Sequence, residues 1–214
     1  MSLVFRSDVE FVPFTLPFDW HSDPLRDKTW MFQLHAWRML DACFNAMYQR
    51  EEPEHALDQV ISVIHDWHRG NVAEGPGAWS WYDMSTGIRA SKLAFLSRVM
   101  QDLGRDINEL DFIPELVSLH LENLMDPKQL SKGNHGLFQL WGLKSLAAAF
   151  PDHPLSPPAT EYAIAQMVDL TGRQMGEYGV HTEDSPAYHF FAIARIRAIL
   201  NTPDWQIPEM AFIR

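Results

Sequence analysis

The sequence predicts an all-α fold built of antiparallel helical hairpins, on three observations. Apolar residues recur at helical spacing in most segments of the 214-residue chain. No period-two run is long enough to read as a strand within a sheet. Proline, glycine or a small polar residue punctuates the ends of most of these segments, so the links between them are mostly short. About seven amphipathic helices joined in this way can build a bundle, a solenoid or an (α/α) toroid. No stretch repeats at a fixed period, which speaks against a solenoid. We read residues 1–214 as one helical domain.

Taken in order, the first predicted helix runs from about Asp27 to Gln49, with Trp30, Leu34, Trp37, Leu40, Phe44 and Met47 on one face and Asp27 able to cap it. A second spans Pro53 to Trp67 through Leu57, Val60, Ile61 and Ile64, with Gly70 as its stop. The segment Gly70–Ser85 is longer than most connections and holds Trp79, Trp81 and Tyr82, so it is expected to pack onto the body of the protein. A third helix covers about Ser85 to Leu103, and a fourth starts at Pro114 with Val117, Leu121 and Leu124 inward. A fifth, Asn134 to Phe150, is ended by Pro151 and Pro154. A sixth begins near Pro158 and fades at Gly176, and the seventh starts at Ser185-Pro186 and runs to Pro203. The tail from Thr202 onward reads as irregular.

Composition narrows the function classes. Hydrophobic residues make up 46% and charged residues 21%, the profile of a folded globular protein. A formal charge of −11 argues against a nucleic-acid backbone as partner, because such binding takes much of its affinity from surplus cations. A polyanion would instead have to be gripped by local cationic or amide groups. The single cysteine, Cys43, excludes an intrachain disulfide and any multi-cysteine metal site, and its apolar neighbours predict a buried thiol. No apolar run is long enough to span a bilayer, and residues 1–11 lack the pattern of a signal peptide.

Two predicted helix starts are unusually polar, Lys132-Gly133-Asn134-His135-Gly136 and the segment from His181 to His189. A helix start offers free amide donors and a positive dipole end, suited to a carboxylate or to a group that must ionise. If both open on one cleft, Asn134, His135, Tyr188 and His189 supply an amide donor, an imidazole pair and a phenol, a set able to move protons. Each has a plainer reading: Asn134 as a helix cap, Tyr188 as a core tyrosine with a satisfied hydroxyl, and the histidines as structural groups. His65 and His68, three apart, suit a metal or simply a solvated helix end. There is no P-loop, no GxGxxG, no HExxH and no GxSxG, which removes nucleotide chemistry and serine hydrolysis.

The segments Asn134-His135-Gly136-Leu137-Phe138-Gln139 and Gly179 to His189 resemble the two signature stretches of the heparinase II/III-like polysaccharide lyases. Phe18-Asp19-Trp20 with Asp23-Pro24 and Trp30, and Trp79-Ser80-Trp81-Tyr82-Asp83-Met84 with Arg89, resemble further parts of that family in the same order. The resemblance covers roughly Phe18 to Leu200, and the Glu-x-Ser-Pro-x-Tyr-His stretch is its most specific part. It implies an incomplete (α/α) toroid, with the family's C-terminal β-sandwich domain lying beyond this chain, which would then be the N-terminal portion of a longer lyase. It also implies β-elimination at a uronic acid without metal or other cofactor. Asn134 and the amides around it would neutralise the substrate carboxylate, Tyr188 would serve as base, acid or both, and His135 as base for the epimer that presents its proton from the other side. Arg89 and His189 would hold substrate carboxylates or orient Tyr188, and Trp81 or Tyr82 would wall a sugar subsite. The family draws a further histidine from its β domain. Phe138 stands where certain heparin-cleaving members carry an acidic residue, so heparin, alginate and bacterial exopolysaccharide remain open as the anionic partner.

Two other readings stand beside this one. In the first, the helical portion serves only to bind glycan or to dock on its β partner. Alternatively an (α/α) toroid can carry a glycoside hydrolase, which needs two separated carboxylates, with Glu74, Asp83 and Glu183 as candidates.

Overall fold

The computed structural model of the protein describes residues 2–3, 12–51, 53–175 and 186–213. Among them are eight α-helices: α1 (Lys28–His35), α2 (Asp41–Gln49), α3 (Pro53–His68), α4 (Asp83–Asp102), α5 (Ile113–Met125), α6 (Asn134–Ala149), α7 (Ser156–Gln174) and α8 (Pro186–Leu200). The only strands among the described residues are the two-residue pieces β1 (Ser2–Leu3) and β2 (Val12–Pro13), paired antiparallel. The class is all-α, as the periodicity predicts. No helix among the described residues is long and apolar enough to cross a membrane.

From α4 onward the helices alternate in direction, so every second one is parallel. Asp83 at the start of α4 lies against His135 at the start of α6, and four residues on Gly87 sits against Phe138, Gln139 and Gly142, so residue numbers rise together along the two helices. The far ends agree, because Gln101 to Arg105 and Ala149 to Pro154 line one surface depression. α8 follows the same direction: Arg195, Ala198 and Ile199 border a small cavity with Leu137 and Trp141, and beyond it Lys144 donates to the Asp204 carbonyl oxygen. With α5 and α7 returning between them, the arrangement is an open (α/α) arc, an incomplete toroid. One continuous hydrophobic core runs from Phe14 to Met210.

The α4–α6 contact is set by glycine. A Cβ on Gly87 would lie 2.6 Å from the Gln139 Cα, and one on Gly142 would collide with the Gly87 carbonyl. The two backbones therefore touch, closer than any pair of side chains would allow.

The first predicted helix is in fact two. Between α1 and α2 the chain passes through Trp37 in the left-handed region (φ 54°) and a 3₁₀ turn at Arg38–Leu40. Tertiary contacts override the helical periodicity here. Arg89 Nη1 donates to the His35 carbonyl at 2.6 Å, and Lys92 Nζ donates to the carbonyls of Ala36 and Trp37 at 3.2 and 2.7 Å. Two cations from α4 thus satisfy the carbonyls that the break leaves open. Burial draws Lys92 down to about 8, opposed by Asp41, whose carboxylate accepts from it at 2.6 Å.

Gly70 does not stop the second helix. After α3 the backbone widens into a π-type turn at Arg69–Ala73, and a Cβ at Gly70 would lie 2.9 Å from the Trp20 ring. Glycine is there to admit Trp20, whose indole N–H donates to Asp66 at 2.9 Å. The tail is not loose either, since Trp205 and Met210 are buried within 3₁₀ turns. Cys43 is buried as predicted, and its thiol donates to Gln59 at 3.3 Å.

Arg89 is the centre of the core. Its guanidinium lies 4.2 Å from the Trp67 ring centroid, with Trp81 and Trp37 at 5.5 and 5.6 Å. Besides His35, it donates from Nη2 to the Ser80 carbonyl at 2.6 Å and from Nε to His120 Nε2 at 3.1 Å. Burial lowers it to about 9, which leaves it cationic at neutral pH. The hydrogen bonds fix both neighbouring imidazoles as neutral tautomers. His120 accepts at Nε2 and donates from Nδ1 to the Leu116 carbonyl at 2.8 Å. His35 accepts from the Trp67 indole at 3.3 Å and donates from Nε2 to the Trp20 carbonyl at 3.1 Å. Desolvation, reinforced by the Arg89 charge, holds His35 down at about 3 and His120 well below its ordinary value.

Two predictions follow from this packing. Gly142→Ala must push α4 and α6 apart and should cost about 1–3 kcal/mol in urea denaturation. Gly172→Ala, on the exposed face of α7 with nothing within 4 Å of the added methyl, should instead add up to about 1 kcal/mol. The second concerns acid. His35 and His120 bind a proton in the unfolded chain below pH 6.5 but not in the folded one until far lower, for His35 about 3. The unfolded state thus binds more protons across that window, and stability must fall as pH falls through it. Between about pH 6.5 and about pH 5 the two together should remove on the order of 3 kcal/mol. A flat or rising denaturation profile would contradict the neutral assignment.

Candidate functional site

The starts of α4 and α6 lie at one end of the arc, where Asp83 meets His135. Asn134, His135 and Tyr82 fall at or near that end. The start of α6 is shaped by two glycines and a glutamine. Gly133 precedes the helix in extended conformation, and Gly136 N–H donates to the Gly133 carbonyl at 3.0 Å. A Cβ on Gly136 would collide with the Ser131 carbonyl, so glycine lets the preceding loop lie against the first turn. Gln139 pins that loop, accepting from Ser131 N–H at 2.9 Å and donating to the Gln129 carbonyl at 2.8 Å.

Asn134 is the first residue of the helix, not its cap; that position belongs to Gly133. Its side chain is 8% exposed, and its carboxamide oxygen is buried with no hydrogen-bond partner. A buried amide oxygen left unpaired costs free energy in a fold. His135, the next residue, is half exposed, and its Nδ1 lies 2.6 Å from the Asp83 carboxylate at the start of α4.

The loop before α4 is held by a chain of hydrogen bonds. Asn71 donates to the Trp67 carbonyl at 2.9 Å and accepts from Ser80 Oγ at 2.6 Å, which in turn accepts from Gly77 N–H at 2.8 Å. Trp81 packs inward against Trp67 and His120, with ring centroids at 5.8 and 5.0 Å. Tyr82 is 38% exposed and rests on Trp79 at 4.6 Å. Of the two aromatic residues expected at a sugar subsite, Tyr82 thus stands at the surface beside the start of α4, whereas Trp81 serves mainly the core.

Arg89, expected to hold a substrate carboxylate or orient Tyr188, is fully buried with its guanidinium committed to His35, Ser80 and His120. It faces the core and props up the aromatic loop from beneath. Tyr188 falls in the first turn of α8, and its side chain lies outside the described residues, as does all of His181 to Ser185. His189 is half-buried, with its ring 5.7 Å from Phe190.

The two hydrolase candidates among the described residues, Asp83 and Glu74, are both paired. Asp83 is paired with His135, and Glu74 accepts from Arg69 at 2.5 Å on the surface; Glu183 lies outside the described residues. His65 and His68 do not form a chelate. His65 stacks on Phe112 at 4.8 Å and His68 bonds to Glu115 at 2.8 Å. Among the described residues, no group of three or more His, Cys, Asp or Glu could hold a metal ion. The Asp83–His135 pair is the feature that sequence reading missed. The two stand 52 positions apart, and only the parallel packing of α4 on α6 brings them together.

Comparison with known proteins agrees with this architecture. A family model described as heparinase II/III N-terminus matches residues 3–208. Heparan sulfate lyase HepC from Pedobacter heparinus is similar in fold, with a TM-score of 0.73, 17% identity, and a match covering 96% of this chain and 32% of that one. A mutant of the same lyase gives a TM-score of 0.74 at the same identity and coverage. A heparinase III gene product with methylated lysines gives 0.67 at 20% identity, over 87% of this chain and 32% of its own. The chain thus spans about a third of the length of these structures. No curated protein matches the sequence.

Proposed function

Because the chain belongs to the heparinase II/III N-terminus family, we propose that it is the N-terminal helical domain of a polysaccharide lyase that cleaves a uronic-acid-containing glycan by β-elimination. The observation that carries this reading is the start of α6, where the largely buried Asn134 adjoins an exposed imidazole on His135 at the free amides of a helix N-terminus. The solved relatives are heparan sulfate lyases, and heparan sulfate is accordingly the first glycan to test.

The chemical difficulty is the C5 proton of the uronate, which is only weakly acidic beside an ionised carboxylate. In the reaction we propose, the carboxamide N–H of Asn134 and the first-turn amides of α6 take up the charge of that carboxylate. Charge then moves onto it as an enolate when the proton leaves. A base removes the C5 proton, the C4–O bond breaks with its electrons going to the glycosidic oxygen, and an acid protonates that oxygen. The product carries a C4=C5 double bond. His135 and Tyr188 are the proton-transfer groups, with His135 acting on the epimer whose proton faces it. Tyr82 forms part of the sugar-binding wall, and His189 contributes from the first turn of α8.

The test is ultraviolet absorbance from the conjugated uronate, followed for this chain and for the longer lyase of which we propose it is the start. On a cleaved glycan, Asn134→Ala should lower kcat by about 10²- to 10³-fold, the usual loss for one donor to a developing oxyanion. Tyr188→Phe should abolish product while leaving the circular dichroism spectrum unchanged. Full turnover by both variants, or glycan cleavage without the new double bond, would overturn the proposal.

A further inference from the structure

The Asp83–His135 contact lies at the surface end of the α4–α6 pair, and three observations mark it out. Asp83 is the first residue of α4 and takes a positive φ of 31°, a region that side chains other than glycine seldom enter. One carboxylate oxygen is buried without a partner, while the other lies 2.6 Å from His135 Nδ1. The distance between them is fixed from below, where the backbones of α4 and α6 touch at Gly87 and Gly142, about one helical turn beyond Asp83 and two beyond His135. The carboxylate is 24% exposed and the imidazole 47%, so the acid sits beneath and the ring faces outward.

We propose that Asp83 is a positioning residue for His135. It accepts the Nδ1–H, fixes that tautomer of the neutral ring, and leaves the Nε2 lone pair as the one presented to substrate. This rests on the lyase reading for the role of His135, and the contact itself can be tested without any glycan. A carboxylate can only accept from Nδ1, whereas an imidazole in water favours the proton on Nε2, where it could not act as a base toward C5. The same logic governs the aspartate behind a catalytic histidine in other enzymes, where the amide variant keeps the geometry but imposes the wrong tautomer.

The experiment is Asp83→Asn, a residue that tolerates positive φ, so that α4 should keep its start. Nitrogen-15 spectra of the imidazole rings, taken on this chain at alkaline pH, report the His135 tautomer directly. The wild type should carry the proton on Nδ1, and Asp83→Asn, whose amide can donate to Nδ1, should move it to Nε2. Asp83→Glu should restore the Nδ1–H form in part. In the active lyase, Asp83→Asn should lower kcat by roughly 10²- to 10⁴-fold with a much smaller change in KM. An Nε2–H tautomer in the wild type, or no change in Asp83→Asn, would overturn the proposal. So would undiminished kcat alongside a changed tautomer. A wild-type lyase that eliminates nothing from any uronate overturns the functional reading instead, and is told apart because the tautomer change would still be seen.

Discussion

One fully buried cation organises this fold. Among the described residues Arg89 has no carboxylate partner; its charge is met by the faces of three tryptophans, two main-chain carbonyls and one neutral imidazole. A guanidinium so buried is tolerable only if its nitrogens are hydrogen-bonded, and each of the three here reaches a different segment. One ends α1, one holds the aromatic loop at Ser80, and one reaches α5 through His120. The lead segment joins the same network through Trp20 and His35. Parts of the chain far apart in sequence are thus tied to one side chain, and the loop that delivers Asp83 to the surface stands directly on it.

Around that centre, polar groups replace the short-range rules by which helices usually begin and end. The break after α1 has no glycine or proline at its turning point; Trp37 takes the left-handed conformation itself, and Lys92 and Arg89 supply the donors for the exposed carbonyls. Asp66 performs the matching task for the lead segment, accepting from the Phe18 backbone, the Trp20 indole and Arg69 at 2.8 to 2.9 Å.

What the sequence revealed and what it hid follow from this. Helices α4 to α7 begin and end within a few residues of where periodicity and proline place them, because local preference and burial agree there. The single long helix from Asp27 to Gln49 was a reasonable reading of Trp30, Leu34, Trp37 and Leu40, all four of which are indeed buried. Its interruption depends on Arg89 and Lys92, some fifty residues further on, and leaves no local mark. Gly70 looked like a helix stop, but what it provides is room for a tryptophan. Asn134 and His135 stand in the first turn of α6, where the sequence predicts a helix start. The place of Arg89 was not legible, since sequence cannot tell an arginine facing a ligand from one enclosed by tryptophan. The partnership of Asp83 with His135 requires knowing that α4 and α6 lie side by side and point the same way.

That parallel packing also divides the molecule along its length. α4 has 20 residues, so its two ends are separated by about 30 Å. The connections at the far end, between α4 and α5 and between α6 and α7, meet around Gln101 to Asn108 and Ala149 to Pro154, a helix length away from the contact between Asp83 and His135. A fluorescent label, an affinity handle or an immobilising tether could be grafted there and report on or retain the protein without touching the starts of α4 and α6.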